Sequence, residues 1–167
     1  MCGFFGNKTV TDSVDSVDTR HPTNQVDWSS VEYSSTTVFK PQISVAKVIK
    51  VYDGDTITIA TPVQFEGSPM YRFSVRLRDI DCPELRTKNE VEKACSKIAK
   101  QVMVDQVLGK MVTLTDVDYD KYGRVLANVL LNGVNITDVL MRRNLAVVYD
   151  GGTKKCPDDW MVYHNSA

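Results

Sequence analysis

The chain has 167 residues, 43% hydrophobic and 25% charged, which suits the core of one domain with an appendage and an ordinary polar surface. A formal net charge of −1 excludes a protein that coats nucleic acid through a broad basic surface, and no apolar run nears the roughly 18 residues of a membrane span. No basic segment followed by an apolar one opens the sequence, so a cytoplasmic or otherwise intracellular protein is expected.

Residues 1–40 are rich in Ser, Thr, Asp and Val and include the quasi-repeat DSVDSVD from Asp12 to Asp18. Their apolar periodicity is weak, which predicts a polar, disordered or loosely docked N-terminal arm. Trp28, Tyr33 and Phe39 are the side chains able to pin its later part. From Ile43 the pattern changes, and residues 41–149 read as one domain followed by a short tail, 150–167. Val45 to Ala60 alternates β-branched residues around Asp53-Gly54-Asp55, predicting strand on both sides of that interruption. Gly67 and Pro69 turn the chain, and Tyr71 to Ile80 predicts a second strand run. Val91, Ala94, Cys95, Ile98, Val102 and Met103 recur at helical spacing. With Thr87 and Glu90 spaced as a capping box and Gly109 as a stop, they predict a helix over about 89–108.

Met111–Val117 and Gly123–Leu131 read as further strands. Asn132-Gly133 predicts a tight turn, and a short helix follows from about Thr137 to Arg143 with Asn144 as a left-handed cap. Leu145–Tyr149 reads as a last short strand. Five or so short strands with two to three helices predict an α+β fold built on a small OB-type barrel.

Charge and cysteines narrow the chemistry. Residues 41–149 hold fifteen basic and thirteen acidic side chains, against three and five in the first forty residues and two and three in the last eighteen. Such a nearly neutral core grips a few phosphates locally and not a long duplex. Cys2, Cys82, Cys95 and Cys156 form no CxxC or Cys/His zinc spacing and read most simply as free thiols, with Cys95–Cys156 or Cys82–Cys95 pairing left open.

Three stretches carry the functional signal: DGDT from Asp53, RLRDIDCPE from Arg76 and DKYGR from Asp120. Taken singly, Asp-Gly is usually a turn and a strand arginine is usually solvated. Together, oxygen ligands suit a hard cation such as calcium or magnesium, and guanidinium forks match phosphate oxygens and stay charged. The two histidines, His21 and His164, lie outside the predicted barrel, so a general base within it is a carboxylate or metal-bound water. Acids and arginines combined point to phosphodiester chemistry. DVDYDKYG from Asp116 fails as a calcium-binding loop, because Lys121 and Ala127 stand at its glycine and glutamate positions. MCGFFG at the start suggests an N-terminal Cys2 nucleophile, but nothing downstream supplies the rest of such an enzyme.

VIKVYDGDTITI, VRLRDIDCPE and DKYGRVLANVLLNGVNITDVLMRRNLA resemble, in order and spacing, the motifs of the staphylococcal nuclease (thermonuclease) family over roughly residues 43–149. The resemblance implies a five-stranded OB barrel and a calcium-dependent, sugar-nonspecific endonuclease. Its substrates would be single-stranded or frayed DNA and RNA, with 3′-phosphate and 5′-hydroxyl products. It implies Asp55, Asp81 and the Cys82 carbonyl as metal ligands, Glu84 as the residue acting on water, and Arg76 and Arg124 on the phosphorus. Lys121 and Tyr122 resemble residues that contact a nucleotide phosphate, and Tyr149 is the aromatic candidate at the other end of the site. The tail is too short for the family's long third helix and carries Gly151-Gly152, Pro157 and Trp160 instead. The rival expectations are a non-catalytic scaffold on the same barrel that binds nucleic acid or protein, and a phage-encoded assembly protein working through its arm.

Overall fold

The computed structural model describes residues 27–167; the DSVDSVD repeat and Cys2 lie outside the described residues. Within the arm, Trp28–Ser30 and Tyr33–Ser35 each form one 3-10 turn, the first capped by Asp27. Trp28, Tyr33 and Phe39 are all exposed. At the start of the unit formed by residues 39–167, the Tyr119 hydroxyl donates to the Pro41 carbonyl at 2.6 Å.

Alternating side chains build the barrel. In β1 (Val45–Val51), Ala46 and Val48 point inward while Val45, Lys47 and Lys50 stay outside; in β6 (Val125–Leu131), Val125, Ala127 and Val129 are buried. β1 pairs antiparallel with β2 (Thr56–Thr61) and with β5 (Met111–Tyr119), β2 with β3 (Tyr71–Leu77), and β5 with β6. A parallel pairing of β3 with β6, Val75 opposite Val125 and Leu77 opposite Ala127, closes the ring into a five-stranded barrel with no free edge between them. Asn132-Gly133, both at positive φ, turn β6 into β7 (Val134–Asn135) as expected.

The second strand run is broken. β3 ends at Leu77, and Ile80–Asp81 forms a separate strand, β4, paired with β8 (Val147–Val148). Asp79 at φ 62° makes the break, so the apolar continuity of the sequence hides a sharp local turn. Helix α1 runs from Glu90 to Val107 and is capped by Asn89, which accepts from the amides of Val91 and Glu92. Thr87 therefore does not form the expected capping box; its hydroxyl receives the Asn89 amide one step earlier. Gly109 follows the helix in the left-handed region, as predicted. The buried face of α1 is Cys95, Ser96, Ala99, Val102, Met103 and Val107, whereas Val91 is exposed. Buried Ser96 costs little, since its hydroxyl donates to the Lys93 carbonyl.

Helix α2 covers Ile136–Arg142, and Asn144 adopts the left-handed geometry beyond it. The tail adds a third helix, α3 (Trp160–Asn165), with Trp160 buried in the same core as Cys95 and Leu140. The Asn144 amide donates to the Tyr163 carbonyl and Cys95 Sγ donates to that of Trp160, tying this helix to the barrel side. Cys82 and Cys95 are buried thiols and Cys156 an exposed one, with no bridge among them. Asp116 to Tyr119, the false calcium loop, lie in β5. Among the described residues, no helix is long and apolar enough to cross a membrane.

Candidate active site

Strand register brings the three motifs to one cleft. Thr56 is opposite Arg76, and Arg76 is opposite Leu126, so the end of the DGDT turn, β3 and the start of β6 share one side of the barrel. Val75 and Leu77 fill the core, which directs Arg76 away from it. The resulting cleft, about 900 Å³, is lined by Asp55, Arg76, Asp81, Glu84, Lys121, Tyr122, Arg124 and Tyr149. Every charged or aromatic side chain proposed from sequence is there; Cys82 does not line the cleft, its thiol being buried and its carbonyl accepting from Lys154.

The DGDT turn is fixed from both sides. The Tyr52 and Asp53 amides donate to the Thr56 carbonyl, and Asp53 Oδ1 accepts the Asp55 amide. Gly54 sits so close to Cys82 and Ala99 that a Cβ there would lie 2.8 Å from Cys82 Sγ and 2.9 Å from Ala99 Cβ. Glycine is thus required by packing, and the turn that presents Asp55 is locked against α1 and the residue after Asp81. Asp55 itself is buried, accepts from Thr56 Oγ1 at 2.9 Å, and meets Arg76 Nη2 at 3.2 Å. Burial outweighs the Arg76 charge, and with Asp53 and Asp81 nearby the Asp55 carboxyl is pushed up to about 7.

Arg76 also donates through the same nitrogen to Asp81 Oδ1 at 2.5 Å, so one guanidinium bridges two nearly buried carboxylates. Its guanidinium carbon lies 5.3 Å from the centre of the Tyr149 ring, and the Tyr149 amide donates to the Asp79 carbonyl. Glu84, by contrast, has an exposed carboxylate, 62% accessible, at the rim.

The DKYGR turn is organised by a residue that sequence reasoning passed over. Asp120 accepts from the amides of Tyr122 and Arg124 through Oδ1 and from Arg124 Nε at 2.7 Å through Oδ2. Gly123, at φ 80°, closes the turn by donating to the Asp120 carbonyl. Burial works against the Asp120 anion, but the donors from Arg124 and Tyr122 prevail and hold its carboxyl below the usual range. Arg124 is thereby gripped through Nε, which leaves its terminal nitrogens to face a ligand, with the exposed Tyr122 ring 5.7 Å away. Lys121 Nζ also lies over that ring, at 5.2 Å. The Asp-x-x-Gly spacing was the available signal for this turn.

Lys154 was also missed. Its ammonium reaches Asp81 Oδ2 at 2.5 Å and the Cys82 carbonyl at 2.9 Å, and stands 3.8 Å from Glu84 Oε1. Burial lowers the affinity of this ammonium for its proton, but the hydrogen bond and charge of Asp81 outweigh that and raise it. Among the described residues, no three His, Cys, Asp or Glu side chains gather into a metal-binding group. The oxygens of Asp81 and Cys82 nonetheless converge on one cationic centre, and Asp55 is a buried acid beside them. Two carboxylates and a carbonyl suit a hard divalent cation by donor chemistry.

Comparison with known proteins identifies the family. The sequence profile described as staphylococcal nuclease homologue matches residues 74–165, which takes in the tail. An uncharacterised endonuclease of Escherichia coli is 32% identical over 107 residues, 62% of this chain and 60% of that protein. An uncharacterised protein of Bacillus anthracis is 31% identical over 105 residues, covering 61% and 46%. The protein ParB of Escherichia coli is 35% identical over 86 residues, covering 52% and 41%. The chain thus spans three fifths or less of the length of these relatives.

Proposed function

The chain belongs to the staphylococcal nuclease family, and from that premise we propose that it is a metal-dependent endonuclease hydrolysing phosphodiester bonds of DNA and RNA without discrimination between the sugars. The observation that carries the reading is the cleft itself: Asp55, Asp81, Glu84, Arg76 and Arg124 all line one opening of about 900 Å³. A non-catalytic scaffold has no use for this set, which combines acids for a cation and a water with cations for a phosphate. The reacting side chains all lie within residues 41–149, and the arm, 1–40, is proposed to be dispensable for cleavage.

Asp55, Asp81 and the Cys82 carbonyl would hold calcium in preference to magnesium, and the ion would supply Lewis-acid neutralisation of the phosphate oxygens. Arg124, its Nε fixed by Asp120, presents its remaining donors to the equatorial oxygens as charge develops on them. Arg76 adds a second cation from the opposite strand, steadied on the Tyr149 ring. Glu84 at the rim accepts a proton from the attacking water. The new P–O bond forms in line with the breaking bond to the 5′ oxygen, which leaves and gains a proton, giving 3′-phosphate and 5′-hydroxyl ends. Lys121 and Tyr122 flank the path of the chain on the Arg124 side, and Tyr149 offers a stacking face on the other. An opening bounded by side chains on both sides favours single-stranded or frayed substrate over intact duplex.

Digestion of single-stranded DNA and of RNA by the purified protein, with calcium, magnesium or EDTA, tests this beside Glu84→Gln and a variant lacking residues 1–40. Cleavage that requires metal, is lost in Glu84→Gln and survives deletion of the arm is expected. Folded wild-type protein that binds these polymers and cuts neither under any metal would favour the scaffold reading.

A further inference from the structure

Lys154 comes from outside the barrel strands and nevertheless contacts both an Asp81 oxygen and the Cys82 carbonyl. Its segment is held at both ends, by the pairing of Val148 with Ile80 and by buried Trp160. Between them residues 149–159 have no regular structure, and Gly151-Gly152 precede the lysine. Lys154 is partly buried with its side chain only 20% accessible, whereas the adjacent Lys155 is exposed. The segment thus delivers one particular ammonium while keeping the backbone freedom to withdraw it without unfolding the core.

We infer that Lys154 is a tethered cation occupying the position of the proposed divalent ion, so that the ion binds only by displacing it. The inference rests on the metal reading above, and it concerns what sets the affinity of that site. The first reason is shared acceptors. The ammonium donates to Asp81 Oδ2 at 2.5 Å and to the Cys82 carbonyl at 2.9 Å, and a calcium ion coordinates such oxygens at about 2.3–2.6 Å. Two cations bound to the same two oxygens would be forced close together and would repel strongly in a partly buried site. The second reason is charge. Arg76 and Lys154 already balance the Asp55 and Asp81 carboxylates, so adding a divalent ion without ejecting the ammonium would leave surplus positive charge in a site where screening is poor. Arg76 is held by the strand register and by Tyr149; Lys154 is the cation with somewhere to go.

The consequence is an affinity threshold. Apparent cation affinity is reduced by the fraction of molecules in which the lysine has left, and removing the ammonium removes that reduction. Withdrawal also changes the rim, because the lysine no longer stands beside Glu84.

The test is calcium titration of the full chain by calorimetry and by the calcium-dependent rise in unfolding temperature, for wild type, Lys154→Met, Lys154→Gln and the control Lys155→Met. Both Lys154 substitutions should tighten calcium binding by about tenfold or more, with Lys155→Met unchanged. Acetylation of the wild-type protein, read by peptide mass spectrometry, gives a second measure that needs no variant. Lys154 should be protected in EDTA and become reactive in calcium, while Lys155 reacts equally in both. Equal calcium affinity in wild type and both Lys154 variants, with Lys154 protected throughout, would overturn the displacement and leave the metal site standing. Absence of calcium or magnesium binding in every variant would overturn both. Cleavage in EDTA that Lys154→Met abolishes would also overturn it, making the ammonium a replacement for the ion and not its competitor.

Discussion

Gly54→Ala perturbs the junction on which the site depends. A methyl group at residue 54 would meet Cys82 Sγ at 2.8 Å and both Cys82 Cβ and Ala99 Cβ at 2.9 Å, distances that carbon atoms in folded proteins do not sustain. Cys82 and Ala99 are themselves buried, so neither can swing into solvent, and relief must come from moving α1 or the Asp81–Cys82 backbone. Overpacking of this kind costs about 1–3 kcal/mol, a fall of about 5–15 °C in unfolding temperature for a unit of this size. Urea unfolding followed through the fluorescence of buried Trp160 measures it. Cys82→Ala removes the nearest atom but leaves Cβ, so the double variant should recover part of the loss, with a favourable coupling of about 0.5–1 kcal/mol. Because Cys82 carries a proposed ligand carbonyl, Gly54→Ala should weaken calcium binding as well. A Gly54→Ala protein within about 0.5 kcal/mol of wild type, additive with Cys82→Ala, would refute the argument that packing and not turn geometry demands glycine here.

Arg124→Ala should lower the cleavage rate about 10²-fold or more with little change in stability, because the Asp120 carboxylate keeps its amide donors. Arg76→Ala should lower the rate comparably and also destabilise the fold by about 3 kcal/mol, since it leaves buried Asp55 without its cation and Asp81 with Lys154 alone; single-turnover kinetics beside denaturant titration separate the two. Asp120→Asn should cost about 1–2 kcal/mol at neutral pH. The Asp120 carboxyl is held below its unfolded value of 3.8, so its contribution is complete above about pH 4 and disappears as pH falls through the lowered folded value. Wild-type and Asp120→Asn unfolding temperatures should therefore converge toward pH 2; a gap that is constant with pH would show that the charge is not the cause.

Local patterns in the chain carried most of the barrel. Alternation around Val48, Ile57, Val75 and Val129 specifies strands whatever they pair with, and Asn132-Gly133, Gly109 and Asn144 fix their turns and caps through backbone preferences that need no partner. The failures share a different cause. Tyr71–Ile80 reads as one strand because the apolar pattern continues past Leu77, while the break depends on Asp79 and on a β8 partner nearly 70 residues away. Thr87 and Asn89 are both good caps, and only the helix start decides between them. Trp160 looks like an isolated aromatic in a short tail and proves to be core, because α1 and α2 leave a face that the tail covers. Asp55, Arg76 and Arg124 were legible because the pairing of β2, β3 and β6 brings the strand and strand ends that carry them to one cleft. Asp120 and Lys154 were not, because their roles lie in which atoms their side chains reach.

Those two residues also change how the site is understood. The motifs alone describe acids for a cation and arginines for a phosphate, as if each group waited for its ligand. In the folded chain the groups already satisfy one another: Arg76 spans Asp55 and Asp81, Asp120 grips Arg124, and Lys154 rests on Asp81 and the Cys82 carbonyl. A cluster of this kind is stable without its ligands, since unpaired buried acids would cost several kcal/mol. Its pairs differ in how easily they part. The Asp120–Arg124 pair sits within one turn and leaves the outer guanidinium nitrogens to face a ligand, so phosphate can join without breaking it. The Lys154–Asp81 pair joins the tail to the site, and a ligand for Asp81 must compete with it. On the proposed displacement, cation binding is the step at which this fold rearranges, and the tail is the part that moves.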